Sequence, residues 1–441
     1  MLPRFCDGLN RREFVRVGTV GGLSLANALR IQHATAAEAT AKSQRDVNCI
    51  FIFILGGMPQ HDLWDFKPEA PAEIRGDFRA IPSAVPGVQL TDLLPLTARV
   101  TDKLAILRSM THGDSDHGRG FHIMMTGMTP GPGDFNSTKN NNVHPSIGSM
   151  VARMTSRGGA LPPYISVPCF LRSGGPAFLG ASCSPFVIEA DPASPEFTVQ
   201  DIVLPAGITD ERSLRRQEAL RAVNRFERRV EDLGKDVQSL DTFYQKAYGL
   251  MTSAQAKAAF DIRREKESLR QAYGMTSLGQ CCLLSRRLVE AGCRFVSIEN
   301  GHWDTHRENT KSLRDLLVPA VDQAIPALLR DLDSRGLLDS TLVVITTEFG
   351  RTPRINSMAG RDHWPNAFSV VLAGGGIKVG GVIGATDKIG AAVTDRPITP
   401  PDLTATILAV LGIDSNIILH TPLGRPVPLA NGGKPVTELF S

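Results

Sequence analysis

The chain has 441 residues, of which 42% are hydrophobic and 21% charged, which excludes a disordered, collagen-like or coiled-coil protein. Its 48 basic and 45 acidic residues give a formal charge of +3, and beyond residue 36 the chain carries 43 of each. This balance gives no electrostatic case for binding nucleic acid or an anionic membrane. Seven cysteines without a CxxC spacing argue against a disulfide scaffold and against a cysteine metal or redox site.

The N-terminal segment has the pattern of an export signal. Arg11 and Arg12 precede a mildly apolar stretch at 17–29, and small residues at 34–37 form an A-x-A-like cleavage site. This order is typical of a bacterial twin-arginine signal peptide at residues 1–36, so we expect a periplasmic or extracellular protein. An ordinary basic amphipathic helix is the alternative. The apolar stretch is shorter than the roughly 20 residues of a membrane span, and we expect no span in the mature chain.

Short apolar runs along the chain predict buried β-strands. The run at 50–55 is continuous, β-branched and aromatic, and it ends in Gly56 and Gly57. Such a run is typical of a strand that is covered on both faces, as in parallel sheets. Similar runs occur at 104–107, 294–298, 342–346 and 369–372.

Helical patterns alternate with these strands. Apolar residues recur at three- and four-residue spacing from 313 to 332, as on one face of an amphipathic helix that ends near Gly336. A second helix is predicted from 401 to 411. Strands that alternate with helices predict an α/β fold with a doubly wound, mainly parallel sheet.

Two stretches interrupt this alternation. Residues 129–200 are rich in glycine, proline, serine and asparagine, which predicts long loops with short strands. A charged, alanine-rich segment at about 205–280 predicts a helical insertion that caps one edge of the sheet. We therefore expect one domain over residues 46–441, with the helical insertion inside it.

Polar residues gather directly after the predicted strands, where ligands bind in doubly wound sheets. His302, Asp304 and His306 alternate, so that on an extended loop their side chains point the same way. Imidazole with carboxylate suits Zn²⁺, Mn²⁺ or iron, whereas Mg²⁺ and Ca²⁺ prefer more oxygen ligands. These segments therefore predict a metal or anion pocket. Of nine histidines beyond residue 36, seven lie in them: His61, His112, His117, His122, His302, His306 and His363.

Several segments together carry a family resemblance. They are the export signal, the glycine-rich loop from Gly56 to Asp62, and motifs at 303–306, 347–353 and 360–364. On these motifs the chain resembles the domain-of-unknown-function 1501 family, exported proteins frequent in planctomycetes and related bacteria. That family is in turn similar to the alkaline phosphatase and sulfatase superfamily, whose members hydrolyse phosphate or sulfate esters with one or two metal ions. The resemblance implies an alkaline phosphatase-like fold.

The resemblance also implies positions for site residues. The superfamily's first-strand aspartate, a metal ligand, corresponds to Asp62, and its nucleophile corresponds to His117, preceded by Asp116. Because histidine replaces the usual serine, threonine or cysteine, His117 could be a nucleophile, an acid or base, or a metal ligand.

Further positions follow the later motifs. The superfamily's aspartate–histidine pair falls near Asp304 and His306 at altered spacing, and its last histidine ligand corresponds to His363. Its aspartate–histidine–glycine motif corresponds to Glu348 followed by Phe349, which cannot bind metal. We therefore expect a one-metal or rearranged site instead of an intact two-metal clamp.

These residues favour a metal-dependent hydrolase of a phosphate or sulfate ester. One divalent ion, with zinc, manganese, calcium and magnesium left open, would polarise the ester oxygen and lower the pKa of a bound water. We expect His117 to act as nucleophile or general base, oriented by Asp116. We expect Arg119 or Arg351 to neutralise substrate oxygens. The ion would be held by some of Asp62, His302, Asp304, His306, Glu348 and His363.

The missing hydroxyl or thiol nucleophile leaves a second hypothesis open. The chain could be a catalytically silent relative that acts as an exported binding or assembly protein for sulfated or phosphorylated polysaccharide. Phosphomutase or isomerase chemistry is a third and weaker hypothesis, because an exported protein would not meet such cytoplasmic substrates. The expected partner is a small anionic ester or an anionic polysaccharide, and the oligomeric state stays open.

Overall fold

The central element is an eight-stranded sheet, seen in a computed structural model that describes residues 46–131, 136, 139–155, 161–199 and 253–440. The predicted signal peptide and residues 205–252 of the predicted insertion lie outside the described residues. In chain order the strands are β1 (Asn48–Ile54), β2 (Leu104–Met110), β3 (Tyr164–Val167), β4 (Phe186–Val187), β5 (Phe295–Asn300), β6 (Thr341–Thr347), β7 (Phe368–Gly374) and β8 (Gly381–Ile383).

The sheet is mostly parallel, with one reversed strand. Its spatial order is β8-β2-β7-β6-β1-β5-β3-β4. The strand β1 pairs in parallel with β5 and β6, whereas β7 is antiparallel to both of its neighbours, β6 and β2. The predicted α/β class with a mainly parallel sheet is therefore confirmed.

The strand β1 is buried on both faces, as its continuous apolar run predicts. Ile50, Ile52 and Ile54 belong to one hydrophobic cluster, and Phe51 and Phe53 belong to another. Successive side chains of a strand point to opposite faces, so the two clusters lie on the two sides of the sheet. The fold therefore has three layers, with helices on both faces.

Seven helices longer than one turn are described, and they divide between these two faces. Helices α3 to α6 supply the cluster with the isoleucines of β1, whereas α1, α2 and α7 supply the cluster with its phenylalanines. They are α1 (His117–Thr126), α2 (Ile147–Met154), α3 (Ala254–Phe260), α4 (Glu267–Tyr273), α5 (Ser277–Glu290), α6 (Val318–Ser334) and α7 (Pro400–Val410). Single α turns are Ala72–Arg75, Pro95–Ala98 and Asn309–Ser312, and Leu313–Leu317 is a π turn before α6.

Short 3-10 segments and two-stranded pairs lie outside the main sheet. One-turn 3-10 segments are Gln60–Asp62, Thr101–Lys103, Ala177–Leu179, Ala181–Cys183, Ile262–Arg264, Leu338–Ser340 and Thr437–Leu439. Antiparallel strand pairs are Ala80–Pro82 with Gln89–Thr91, Gly350–Arg351 with His363–Trp364, Ala385–Thr386 with Val393–Asp395, and Ile418–His420 with Pro426–Pro428. Among the described residues, no helix is both long and apolar enough to cross a bilayer.

The predicted elements are found at nearly the predicted places. The helical pattern at 313–332 becomes the π turn followed by α6, and the predicted helix at 401–411 is α7. Residues 277–280, predicted as the end of the insertion, begin α5, which packs on a face of the sheet.

The direction of the strands decides which loops meet. The strands β1, β2, β5 and β6 run the same way, so the loops that follow them lie at one edge of the sheet. Because β7 is reversed, the segment that precedes it, and not the one that follows, lies at this edge. Five loops can therefore bring side chains to one place.

Candidate functional site

Three of these loops bring a histidine or a carboxylate to one point. His117 begins α1 after β2, Asp304 follows β5, and His363 precedes β7. One potential ligand atom from each of the three lies within 4.8 Å of the others. They are a group of metal-ligand type, formed from residues far apart in the sequence.

His117 lies between two carboxylates. Its Nδ1 is 2.7 Å from Glu348 Oε1, and its Nε2 is 3.3 Å from Asp304 Oδ2. Burial on its own would lower the pKa of His117, but the hydrogen bond to Glu348 and the charges of Glu348 and Asp304 outweigh it and raise that pKa. The Nε2 atom is buried and has no hydrogen-bond partner.

Asp304 is the half-exposed carboxylate of the group. Its Oδ1 accepts a hydrogen bond from Arg351 Nη2 at 2.6 Å. Burial would raise the pKa of Asp304, but the Arg351 guanidinium, helped by His117 and His363, lowers it to about 2. The side chain is therefore negatively charged at neutral pH and available to a cation.

His306 extends the group. Its Nε2 lies 3.0 Å from both His363 Nε2 and Asp304 Oδ1, and its Nδ1 lies 2.6 Å from Asp362 Oδ1. This hydrogen bond holds the pKa of Asp362 below its usual value. His363 Nε2 is 3.2 Å from Asp304 Oδ1, and its Nδ1 donates to the Ser115 carbonyl at 2.7 Å.

Glu348 is fully buried behind His117. Its Oε1 accepts from the Gly56 amide at 2.8 Å as well as from His117, and its Oε2 accepts from Thr347 Oγ1 at 3.1 Å. The sequence predicts Glu348 as a metal ligand, but the carboxylate lies on the Nδ1 side of His117. There it accepts the hydrogen on Nδ1 of His117, a contact that can orient that imidazole.

Two glycines permit the loops to approach this closely. A Cβ on Gly56, where φ is +123°, would lie 2.4 Å from the Asp304 amide nitrogen. A Cβ on Gly360 would lie 1.9 Å from the His306 carbonyl oxygen. Any larger residue would have to push the loop away, so both glycines set the positions of site residues.

Asp62 is not part of the group. Its two carboxylate oxygens accept from Arg361 at 2.8 and 2.9 Å, and Oδ2 also accepts from Asn309 at 2.8 Å. Asp62 and Arg361 are both buried, so each neutralises the other's charge. This differs from the prediction that Asp62 is a metal ligand, because the arginine already occupies both oxygens.

Asp116 and Arg119 also differ from their predicted roles. The Asp116 carboxylate accepts from the Arg119 backbone amide at 2.9 Å and caps the first turn of α1. His117 is oriented by Glu348 instead. Arg119 Nε donates to Asp114 at 2.6 Å, so its side chain is paired within its own loop.

Arg351 is buried among backbone carbonyls and cannot present its guanidinium to a substrate. Its Nη1 donates to the Arg361 carbonyl at 3.0 Å, its Nη2 donates to the Gly56 and Trp303 carbonyls, and its Nε donates to the Gly57 carbonyl. Its contact with the group is the ion pair with Asp304. Arg351 therefore positions that carboxylate.

The remaining predicted histidines lie outside the group. His302 is exposed in a left-handed conformation with φ of +74°. His61 donates its Nε2 hydrogen to the Ile389 carbonyl at 2.8 Å, and His112 Nε2 contacts the Glu348 carbonyl at 2.6 Å. His122 is buried 3.0 Å from His144, which is a separate pair.

The sequence argument missed Asp362 and Ser115 as partners of the site histidines. Asp362 directly precedes His363 and holds His306, and the Ser115 carbonyl lies two residues before His117. An acid next to a metal-site histidine in the sequence is a usable signal for Asp362. Nothing in the sequence signals the backbone carbonyl.

The group fits a divalent metal ion. It offers imidazole nitrogens and one charged carboxylate, a donor set that zinc and similar ions prefer. The buried Nε2 of His117, 3.3 Å from Asp304 Oδ2 and without a hydrogen bond of good geometry, adds a further nitrogen donor that faces the group. The carboxylate and carbonyl partners behind the histidines are typical of the outer layer of metal sites.

Comparison with known protein families identifies the family to which the chain belongs. Residues 46–440 match the family described as "Protein of unknown function (DUF1501)". The chain belongs to the DUF1501 family. No curated protein matches this DUF1501 chain.

Solved structures of related shape come from sulfatases and phosphatase-like proteins. A protein in the alkaline phosphatase superfamily from Vibrio parahaemolyticus is 13% identical, with a TM-score of 0.42, over 90% of this chain and 71% of that one. The PsFucS1 sulfatase from Pseudoalteromonas sp. is 14% identical, with a TM-score of 0.39, over 87% and 71%. Ps i-CgsB in complex with k-i-k-neocarrahexaose is 12% identical, with a TM-score of 0.40, over 84% and 72%. All three scores lie below 0.5, so these likenesses carry no conclusion about the chemistry of the site.

Proposed function

We propose that this DUF1501 protein is a metal-dependent hydrolase of a phosphate or sulfate ester. The observation that carries the proposal is the convergence of His117, His363 and Asp304 at the edge of the sheet where parallel strands end. A divalent ion held by these three would polarise an ester oxygen and lower the pKa of a bound water.

The chain's own residues would hold this centre in a fixed geometry. Arg351 keeps Asp304 in place and charged, and the Ser115 carbonyl fixes the ring of His363. The Phe349 ring lies 5.0 Å from the His117 ring and 4.5 Å from the His363 ring, where it excludes water from one side. Exclusion of water strengthens the electrostatic interactions of the centre with an anionic substrate.

His117 is assigned as a ligand in this proposal and not as a nucleophile. Its Nδ1 is occupied by Glu348, so its Nε2 is the atom that faces the group. A carboxylate behind a histidine is the arrangement that orients metal ligands and raises their basicity. Hydrolysis would then use water, with no covalent enzyme intermediate.

A panel of nitrophenyl phosphates and sulfates tests the activity. Purified protein loaded with Zn²⁺ or Mn²⁺ is expected to turn over at least one ester, and a chelator is expected to abolish turnover. His363→Ala should lose the activity, whereas His420→Ala, a change at an exposed histidine outside the site, should keep it. Equal turnover by wild type and His363→Ala would refute the proposal.

A second candidate function is a catalytically silent binding protein. It is favoured by one observation: the described His117, Asp304 and His363 group contains no hydroxyl or thiol, and the nearby Arg351 is committed to internal contacts. Stoichiometric metal with no turnover of any ester, together with binding of a sulfated polysaccharide, would favour this function over hydrolysis.

We also propose that the protein acts outside the cytoplasm. Support comes from Arg11 and Arg12 and the apolar stretch after them. Full-length chain expressed in a bacterium with a twin-arginine pathway should appear in the periplasm in processed form. Replacement of both arginines by lysine should leave it unprocessed in the cytoplasm, and unchanged export of that variant would contradict the proposal.

A further inference from the structure

For three imidazoles of the site, the hydrogen-bond partner of Nδ1 determines which ring nitrogen carries the hydrogen. In each case Nδ1 faces a carboxylate or carbonyl oxygen, which can only accept from a ring N–H. Each ring therefore carries its hydrogen on Nδ1, and in the neutral ring Nε2 has only a lone pair. The three pairs are His117 with Glu348 at 2.7 Å, His306 with Asp362 at 2.6 Å, and His363 with the Ser115 carbonyl at 2.7 Å.

Two of these lone pairs, on His306 and His363, face each other, and all three Nε2 atoms lie close to the Asp304 carboxylate. His306 Nε2 and His363 Nε2 are 3.0 Å apart, and they lie 3.0 and 3.2 Å from Asp304 Oδ1. His117 Nε2 lies 3.3 Å from Asp304 Oδ2. Acceptors at such distances repel unless a positive charge lies between them. A proton can remove the repulsion in one contact at a time, whereas a divalent cation bound by all the acceptors can remove it in every contact.

We propose that His306 is the fourth ligand of a centre with three imidazoles and one carboxylate, and that this centre selects a transition ion of the zinc and cobalt type over Ca²⁺ and Mg²⁺. This inference rests on the ion site of the proposed function and adds its remaining ligand and the class of ion. Neither the fourth ligand nor the class of ion is identified by the family match or by the group of His117, Asp304 and His363.

The distances agree with this class of ion. Donors around a tetrahedral zinc ion with bonds of about 2.0–2.1 Å lie about 3.3 Å from one another. His306 Nε2, His363 Nε2 and Asp304 Oδ1 lie 3.0, 3.0 and 3.2 Å from one another, and His117 Nε2 lies 3.3 Å from the other oxygen, Asp304 Oδ2. Ca²⁺ takes about 6–8 oxygen ligands, and Mg²⁺ also prefers oxygen, whereas this centre supplies one carboxylate.

With four protein ligands, water or substrate would enter as a fifth ligand, a coordination number that some catalytic zinc sites reach in the transition state. A single ion is expected. The oxygens of Glu348 already accept from His117, the Gly56 amide and Thr347, and Phe349 follows Glu348 in the sequence. Phe349 has no ligand atom, and Glu348 already uses three of the about four lone-pair sites of its carboxylate.

Cobalt titration followed by visible absorption tests the inference without any assay of activity. Wild-type protein should bind one equivalent of Co²⁺ and give the intense bands of a four- or five-coordinate ion. Zn²⁺ should abolish these bands, and a large excess of Ca²⁺ or Mg²⁺ should leave them unchanged. His306→Ala should weaken cobalt binding and shift the bands, because one nitrogen ligand is lost.

Asp362→Asn gives a second variant that leaves all four ligands in place. Loss of an outer carboxylate should weaken cobalt binding by about 10–100-fold. Asp339→Asn, an exposed change before β6 and far along the strand from the site, is the matched control and should bind cobalt like wild type. His306 and Asp362 side chains are 37% and 53% exposed, so both variants should fold, which circular dichroism can check.

Three results would overturn the inference: no cobalt binding, displacement of cobalt by Ca²⁺ or Mg²⁺, or wild-type spectra and affinity in His306→Ala. Failure of the ester panel with the cobalt results intact would remove the proposed hydrolase and leave this metal centre standing.

Discussion

Three acidic residues near the site differ in function because their partners differ. Asp62 is buried against Arg361 and balances its charge. Glu348 is buried and accepts hydrogens from His117 and the backbone. Asp304 is 46% exposed at its side chain, charged, and surrounded by imidazole nitrogens. Of the three, Asp304 alone presents a carboxylate oxygen to the group of ligand atoms.

The first prediction concerns Asp62→Asn. Removal of one charge from a buried pair leaves the Arg361 guanidinium uncompensated, so the free energy of unfolding should fall by about 3–5 kcal/mol. Denaturant unfolding measures this loss, and Asp339→Asn is the control. Metal stoichiometry at a temperature where the variant is folded should be unchanged. A variant of wild-type stability that has lost its metal would instead make Asp62 a ligand.

The second prediction concerns His61 and pH. Burial, followed by the charge of Arg361, lowers the pKa of His61 to about 3, whereas an unfolded histidine titrates near 6.5. Between these values the unfolded chain binds one more proton than the folded one. His61 should therefore lower the unfolding free energy by about 1.4 kcal/mol for each pH unit of acidification below 6.5.

Unfolding curves between pH 7 and pH 5 would measure this effect. His61→Gln keeps a hydrogen-bonding side chain but cannot titrate, so its pH dependence should be shallower by this amount. His420→Gln, at an exposed position, should keep the wild-type slope. Equal slopes in wild type and His61→Gln would show that His61 is not held neutral in the fold.

At the level of elements, the third prediction concerns the start of α1. Asp116 caps the helix whose first residue is His117, so Asp116→Ala should lower the unfolding free energy by about 1 kcal/mol. Asp116→Asn keeps the cap but not the charge and should restore both stability and ester turnover. If Asp116→Asn lost turnover at wild-type stability, the carboxylate would have the orienting role that the sequence suggested.

The reversed strand β7 explains how the site is completed. Because β7 is antiparallel to β6, His363 arrives at the edge where the parallel strands end. A parallel strand in this place would carry the residues before it to the opposite edge. The position of His363 therefore depends on a feature of the sheet that the sequence pattern does not reveal.

At the level of the whole molecule, the sequence predicts the fold better than the site. The apolar run of β1 indicates a strand buried on both faces, because burial depends on residue type alone. The burial of Arg351 and Arg361 could not be foreseen, since both motifs look like exposed loops. The Arg361 guanidinium binds both oxygens of Asp62, whereas Arg351 binds only one oxygen of Asp304, and the Asp304 carboxylate still lies beside the histidines.

The fourth prediction concerns the stability of the whole chain. An ion that binds the folded state should stabilise it by about 2.7 kcal/mol at a free concentration 100 times its dissociation constant. Zn²⁺ should therefore raise the melting temperature of chelator-treated protein, and Ca²⁺ should not. His363→Ala, which lacks one ligand, is expected to show a clearly smaller rise at the same zinc concentration. An equal rise in wild type and His363→Ala would place the stabilising ion elsewhere.

Anomalous diffraction from crystals grown with Co²⁺ or Zn²⁺ tests the metal centre most directly. We predict a single strong anomalous peak at the metal's absorption edge, within bonding distance of Nε2 of His117 and His363 and of an Asp304 oxygen. A strong peak ligated by Asp62 or His302, or no peak among these histidines in crystals that contain the metal, would contradict it.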